Sequence, residues 1–151
     1  MIVARFLCLA TMSMFALSGV AQTCTTPIPI VASGTVSGTT CSGTTQLPSL
    51  VNGAMTGGQQ IVYRATFATG LFPYVDLSLQ PDAGVDMSLF VCPNACSSTA
   101  SCIAAVDDNG AGIAEIASIP NPAGDYYIIV QAAPGSGPVC GGYSLTLSTP
   151  L

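Results

Sequence analysis

Histidine, lysine and tryptophan are absent from this chain, and charged side chains make up only 6% of it. Each absence closes a class of function. Without histidine or lysine, no serine has a side-chain base to activate it, so serine-type nucleophilic catalysis has no support. Glu115 is the only glutamate. Asp107 and Asp108 are adjacent and would point apart on an extended strand, so a hydrolytic carboxylate pair is not evident either. No glycine-rich loop sits between a strand and a helix, which removes the usual nucleotide cradle. The chain is therefore read as non-catalytic. Two arginines against seven acidic residues give a net charge of −5. Such a surface cannot neutralise phosphates, which excludes nucleic acid and anionic membranes as partners.

What is present begins with a targeting segment. Arg5 precedes the apolar run Phe6–Leu17, and Ser18-Gly19-Val20-Ala21 supplies small residues for cleavage after Ala21. The run falls short of the roughly 20 residues that span a bilayer. Residues 1–21 are thus expected to be a signal peptide, and residues 22–151 a single exported domain in the periplasm, at the cell surface or outside the cell. Beyond Cys8, six cysteines remain: Cys24, Cys41, Cys92, Cys96, Cys102 and Cys140. An even number in an exported chain predicts three disulfides, with connectivity not deducible. The close spacing of Cys92, Cys96 and Cys102 suggests that two of them close a small loop. The third would then reach Cys24, Cys41 or Cys140.

No helical period of useful length follows the signal. Alternation dominates, punctuated by turn residues at the spacing of an all-β sandwich. Short edge strands are expected at Ile28–Val31, Gly34–Gly38 and Leu50–Gly53. Longer ones are expected at Gln60–Phe67, Tyr74–Gln80, Asp86–Cys92, Ile103–Val106, Ile113–Ile119, Tyr126–Ala132 and Tyr143–Ser148. Pro81-Asp82-Ala83-Gly84 reads as a turn, and Pro134–Pro138 as a hairpin loop. The run Asp125–Val130 is apolar on both phases, which places its strand centrally. Tyr126 and Tyr143, each after a glycine, are expected to send their hydroxyls to backbone groups, as in a tyrosine corner.

Several segments in order resemble the bacterial pre-peptidase C-terminal domain. Gly34-Thr35-Val36-Ser37-Gly38-Thr39-Thr40 is similar to that family's opening strand. Val62-Tyr63-Arg64-Ala65-Thr66-Phe67 is similar to its Y-x-F strand, and Asp86–Val91 to its D-x-D-L strand. Cys102 followed by Asp107-Asp108-Asn109 resembles the cysteine-plus-acidic loop of disulfide-bearing members. Pro122–Val130 and Gly142–Leu147 match the family's tyrosine-rich close. The resemblance covers nearly all of residues 22–151 and implies an antiparallel, jelly-roll-like β-sandwich of a kind usually attached to secreted peptidases. Here it reads as a free-standing member without a peptidase domain. Gln60 stands where an acidic residue often precedes the Y-x-F strand, and Asp86 alone remains of a paired aspartate pattern.

Two candidate sites follow from the residues. Asp107, Asp108 and Asn109 offer hard oxygens in a loop that Gly110 and Gly112 free to bend, with Asp86 or Asp82 near enough to join them. Calcium is the ion such donors suit. The competing reading is a solvated turn whose Asp and Asn side chains bond their own backbone. Phe72, Tyr74 and Phe90, the last on the outward phase of its strand, are candidate aromatic contacts for a sugar or peptide, although the lack of tryptophan weakens a sugar platform. The expected function is a secreted binding or adhesion module for an extracellular protein or polysaccharide, stabilised by calcium if the acidic loop holds it. The alternative is a subunit that assembles with itself into a matrix or fibre.

Overall fold

A computed structural model describes residues 23–47, 50–51, 54–55, 57–96, 101–134 and 139–150. The signal segment and residues 135–138 of the expected hairpin loop lie outside this range. Among the described residues there are eleven strands: β1 (Ile28–Pro29), β2 (Gly34–Thr39), β3 (Leu50–Val51), β4 (Ala54–Met55), β5 (Gln60–Phe67), β6 (Tyr74–Pro81), β7 (Met87–Pro93), β8 (Ala104–Val106), β9 (Glu115–Pro120), β10 (Gly124–Ala132) and β11 (Gly142–Ser148). One short 3₁₀ turn spans Thr40–Ser42. Four of the expected boundaries move inward: the first strand stops at Pro29, the strand expected from Asp86 starts at Met87, the one expected from Ile103 starts at Ala104, and the one expected from Ile113 starts at Glu115. Residues 52–53 of the expected third strand lie outside the described residues.

A five-stranded sheet runs in the order β1-β5-β10-β7-β8, a four-stranded sheet in the order β2-β11-β6-β9, and β3 with β4 forms a separate ribbon. All pairings are antiparallel except the short β1–β5 contact. From β5 to β11 the chain crosses repeatedly between the two large sheets, as a sandwich requires. The strand apolar on both phases, β10, lies at the centre of the five-stranded sheet, flanked by β5 and β7.

Alternation decides what each face buries. Ile61, Tyr63, Ala65 and Phe67 of β5 point inward, as do Val75, Leu77 and Leu79 of β6, Leu89 and Val91 of β7, and Ile128 and Val130 of β10. Leu145 and Leu147 of β11 complete the layer between the sheets. Each fully buried side chain of this size stabilises the fold by roughly 1.5–3 kcal/mol. Between the sheets the Tyr63 and Tyr143 hydroxyls share a hydrogen bond of 2.8 Å, with the rings edge to face at 6.5 Å. The Tyr143 hydroxyl therefore meets a side chain and not the backbone group expected from its sequence context. Burial pushes both phenol pKa values up, so the pair stays neutral. Gly38 is required beside it, since a Cβ there would sit 2.8 Å from the Tyr143 hydroxyl. Tyr126 is buried as well and packs its ring against Phe67.

The turn after β6 forms as its residues demand. Val85 N–H donates to the Asp82 carbonyl at 3.0 Å, and Gly84 takes the left-handed φ of 81°. Three disulfides staple the loops: Cys92–Cys102, Cys24–Cys96 and Cys41–Cys140. The first closes the small loop, and Cys96 reaches back to Cys24.

Candidate functional site

The outward face of the five-stranded sheet is roofed. Val62, Ile129, Phe90 and Ala105 fall in one row of the register. Leu47 and the cysteines Cys92 and Cys102 close over them to form a second, smaller hydrophobic cluster. Gln60 clamps this roof in place. Its Oε1 accepts from the backbone N–H groups of Gln46 (2.7 Å) and Leu47 (3.0 Å), while its Nε2 donates to Gln131 Oε1 at 2.7 Å. A carboxylate at this position has no hydrogen to give Gln131. The departure from the acidic residue of the resembling family thus has a local physical reason.

Phe90 must be corrected. It lies on the outward phase of its strand, but it is fully buried beneath the roof and offers no contact to a ligand. Period-2 alternation distinguishes inside from outside, yet it cannot tell whether the outside is covered. Phe72 is half-buried and packs against the main core. Tyr74 alone of the three aromatics is open, with 42% of its surface exposed at the start of β6. The structure does not bring these three side chains together.

The acidic loop follows β8. Glu115 is fully buried at the start of β9, and its carboxylate accepts from Asp108 N–H at 3.2 Å and Asn109 N–H at 2.8 Å. Asn109 Nδ2 in turn donates to the Ala114 carbonyl at 2.9 Å. The loop is thereby organised by one of the chain's own carboxylates, which sequence reading had not placed there. Burial pushes the Glu115 pKa up, against the pull of the two backbone N–H groups, and Asp107 and Asp108 add to the rise. Asp107 is also raised, chiefly by burial, with Asp86 and Asp108 contributing. The Ser88 hydroxyl lies close enough to oppose the Asp107 shift, yet it meets no partner at hydrogen-bonding geometry. Asp86 stands just before β7 with a buried, unpartnered Oδ1. Among the described residues, no three His, Cys, Asp or Glu side chains form a group that could hold a metal ion.

The four-stranded sheet is the opposite case, because its outward face is open among the described residues. Thr35, Ser37 and Thr39 of β2, Ser144, Thr146 and Ser148 of β11, Tyr74, Asp76, Ser78 and Gln80 of β6, and Ile116 and Ser118 of β9 all share it. The register sets these residues in rows: Ser37 beside Ser144 and Gln80, then Thr35 beside Thr146, Ser78 and Ile116, then Ser148 beside Asp76 and Ser118. The Thr35 and Thr146 hydroxyls bond each other at 2.8 Å. At the lower end of β2 and β11, a shallow groove of about 410 Å³ is lined by Ser33, Thr35, Thr146, Ser148 and Thr149. At the opposite end of the sandwich a smaller cleft of about 280 Å³ lies among Gly57, Gly58, Gln59 and Ala132–Pro134.

No family model and no curated protein matches the sequence. Solved structures do match. The pre-peptidase C-terminal domain of a collagenase from Bacillus anthracis superposes with a TM-score of 0.54 at 21% identity, over 80% of this chain and 93% of that one. PliG, a periplasmic inhibitor of g-type lysozyme from Aeromonas hydrophila, superposes with a TM-score of 0.52 at 19% identity, over 86% of this chain and 98% of that one. At these identities the likeness is one of fold. The chain has the β-sandwich fold of the pre-peptidase C-terminal domain.

Proposed function

We propose that this protein is an exported, non-catalytic β-sandwich module that binds an extracellular protein or polymer. The observation that carries the reading is the contrast between its outer faces. One is roofed and stapled by two of the three disulfides, while the other is open, nearly uncharged and grooved. Three disulfides suit an oxidising compartment outside the cytoplasm. The two structural neighbours, a peptidase's accessory domain and a lysozyme inhibitor, support a small non-catalytic role, and the second makes a protein partner reasonable. Co-sedimentation of the oxidised domain with insoluble cellulose, chitin and peptidoglycan, together with surface binding to collagen and lysozyme, tests the reading. Retention by at least one of these is expected. Passage through all of them would remove binding as its role.

A self-assembling subunit is the second reading, and a specific observation favours it. β2 is an edge strand of six residues with no charged side chain, and β11 is its one strand partner among the described residues. Edges of this kind are commonly blunted by charge or proline, because bare ones pair with other chains. Light scattering after gel filtration, with calcium and then with chelator, separates the two readings. A monomer in both conditions excludes assembly. In the reading we favour, Glu115 closes the acidic loop without help from an ion, so chelator leaves the melting temperature unchanged. A fall of several degrees in chelator would restore calcium as the loop's stabiliser.

A further inference from the structure

Resting on the binding-module reading, we infer that the groove across β2 and β11 is a site for an uncharged, hydroxyl-rich glycan, with Tyr74 as its aromatic rim. Five side chains line the groove with hydroxyls, and none carries a charge, although the domain as a whole is acidic. An anionic polymer would gain no partner here, whereas a neutral polyol would.

The hydroxyls are already arranged in pairs. Ser33 Oγ and Thr149 Oγ1 are 2.6 Å apart, and Thr35 Oγ1 and Thr146 Oγ1 are 2.8 Å apart. Each pair spends one of its two hydrogens internally, which leaves one hydrogen and several lone pairs free for a ligand. Sugar hydroxyls offer the same mixture of donor and acceptor, so either partner can reverse its role to suit the other. Ser33 is held at the left-handed φ of 60°, uncommon for a residue other than glycine, and its hydroxyl bond to Thr149 spans 116 positions of sequence. A constrained backbone at one end of a groove is a feature that clusters at binding sites.

Beyond the hydroxyls the face turns apolar and acidic in a way that suits a pyranose. Ser148 is in register with Asp76, and Tyr74 lies two residues earlier on the same outward phase of β6. Tyr74 thus presents an exposed ring beside the groove, with a carboxylate between them to accept from sugar hydroxyls. A ring of this kind supplies apolar area together with a polar tip. On the other face Phe90 lies beneath the roof.

The test is a backbone-amide NMR titration of the labelled, oxidised domain with three neutral hexasaccharides (cellohexaose, chitohexaose and maltohexaose) and with an oligogalacturonate hexamer as the charged control. At least one neutral hexamer is expected to shift Ser33–Thr35, Thr146–Thr149 and Tyr74, while the charged control shifts none of them. Tyr74→Ala, and separately Thr35→Val with Thr146→Val, should each weaken binding about tenfold, equivalent to about 1.4 kcal/mol. Thermal melting of each variant establishes that it is folded. Shifts from neutral sugar confined to another surface would overturn the assignment, as would binding of the charged hexamer alone. An uncharged extended peptide that shifts β2 where every sugar fails would replace it with strand addition. If the groove variants still sediment with the polymer that retains the wild type, the groove assignment fails while the binding-module reading stands. If the wild type itself is retained by nothing, both fail.

Discussion

The outward faces of the two sheets answer the same structural question in opposite ways. On the five-stranded sheet, Val62, Phe90 and Ile129 stand where solvent-facing residues are expected, and a second layer was built to cover them. On the four-stranded sheet, the corresponding positions hold Thr35, Ser37, Ser144, Thr146 and Ser78, all exposed or half-exposed among the described residues. The first face is used for stability. The second is the face that the proposed function assigns to a partner. Two of the three disulfides and the buried amide clamp lie on the roofed side, while Cys41–Cys140 ties the end of β2 to the start of β11.

The sharpest way to break that comparison is to empty the roofed face. Phe90→Ala removes a fully buried ring from the smaller cluster and should cost about 3–5 kcal/mol. Urea unfolding of the oxidised protein measures this directly. A loss below about 1 kcal/mol, the ordinary effect of a point change, would mean the roof is loosely laid and the two faces are energetically alike.

Next in size is the clamp. Gln60→Leu keeps the volume but strands the N–H groups of Gln46 and Leu47 and removes the donor to Gln131. Each buried group left without a partner costs about 1–3 kcal/mol. Hydrogen exchange should show the amides of Gln46 and Leu47 losing protection while those of β11 keep theirs. Equal loss on both sheets would deny that Gln60 acts on the roof in particular.

A smaller effect belongs to the acidic loop beside the roofed sheet. Folding raises the Glu115 pKa, so the folded chain holds this proton to a higher pH than the unfolded chain does. The resulting stability is fully present below the unfolded value of about 4.3 and is lost as pH rises through the folded value. Asp107 acts in the same direction. The domain should therefore gain stability on mild acidification from neutral pH, and Glu115→Gln should flatten that slope. Urea midpoints at several pH values above the unfolded range would show it. A stability that falls on acidification over this range would mean that the two backbone N–H bonds outweigh burial at Glu115.

How much of this was legible in the sequence follows from which forces are local. Alternation in β5, β6, β7 and β11 revealed the strands and their inward residues, because period 2 is a property of a few neighbouring positions. The double-phase apolar run of β10 revealed its central place for the same reason. The roof was not legible. Phe90 has the phase of an exposed residue, and the arrival of Leu47, held by Gln60 from another strand, together with Cys102 buries it. Cysteine spacing implied a small loop among Cys92, Cys96 and Cys102, but the partners chosen depend on a topology that spacing does not encode. The Glu115 loop closure was hidden in a similar way, since a lone glutamate carries no mark of the backbone groups it will meet. The groove left a faint local trace in the alternating Thr/Ser positions of β2 and β11. Its pairing of Ser33 with Thr149 joins opposite ends of the domain.

The smallest expected effect sharpens the comparison most. Thr35→Val with Thr146→Val removes both hydroxyls of an exposed pair while keeping the branched shape that a strand prefers. Surface changes of this kind usually lie within about 0.5 kcal/mol, because water replaces the lost hydrogen bond. Set beside Phe90→Ala, the double variant should therefore melt close to the wild type. A face that loses hydroxyls at little cost to folding is one whose hydroxyls are free to be chosen by a ligand. A cost well above 1 kcal/mol would show the opposite: that the row from Thr35 to Ser78 is a cross-strand ladder holding the four-stranded sheet, and that both faces of this sandwich serve stability first.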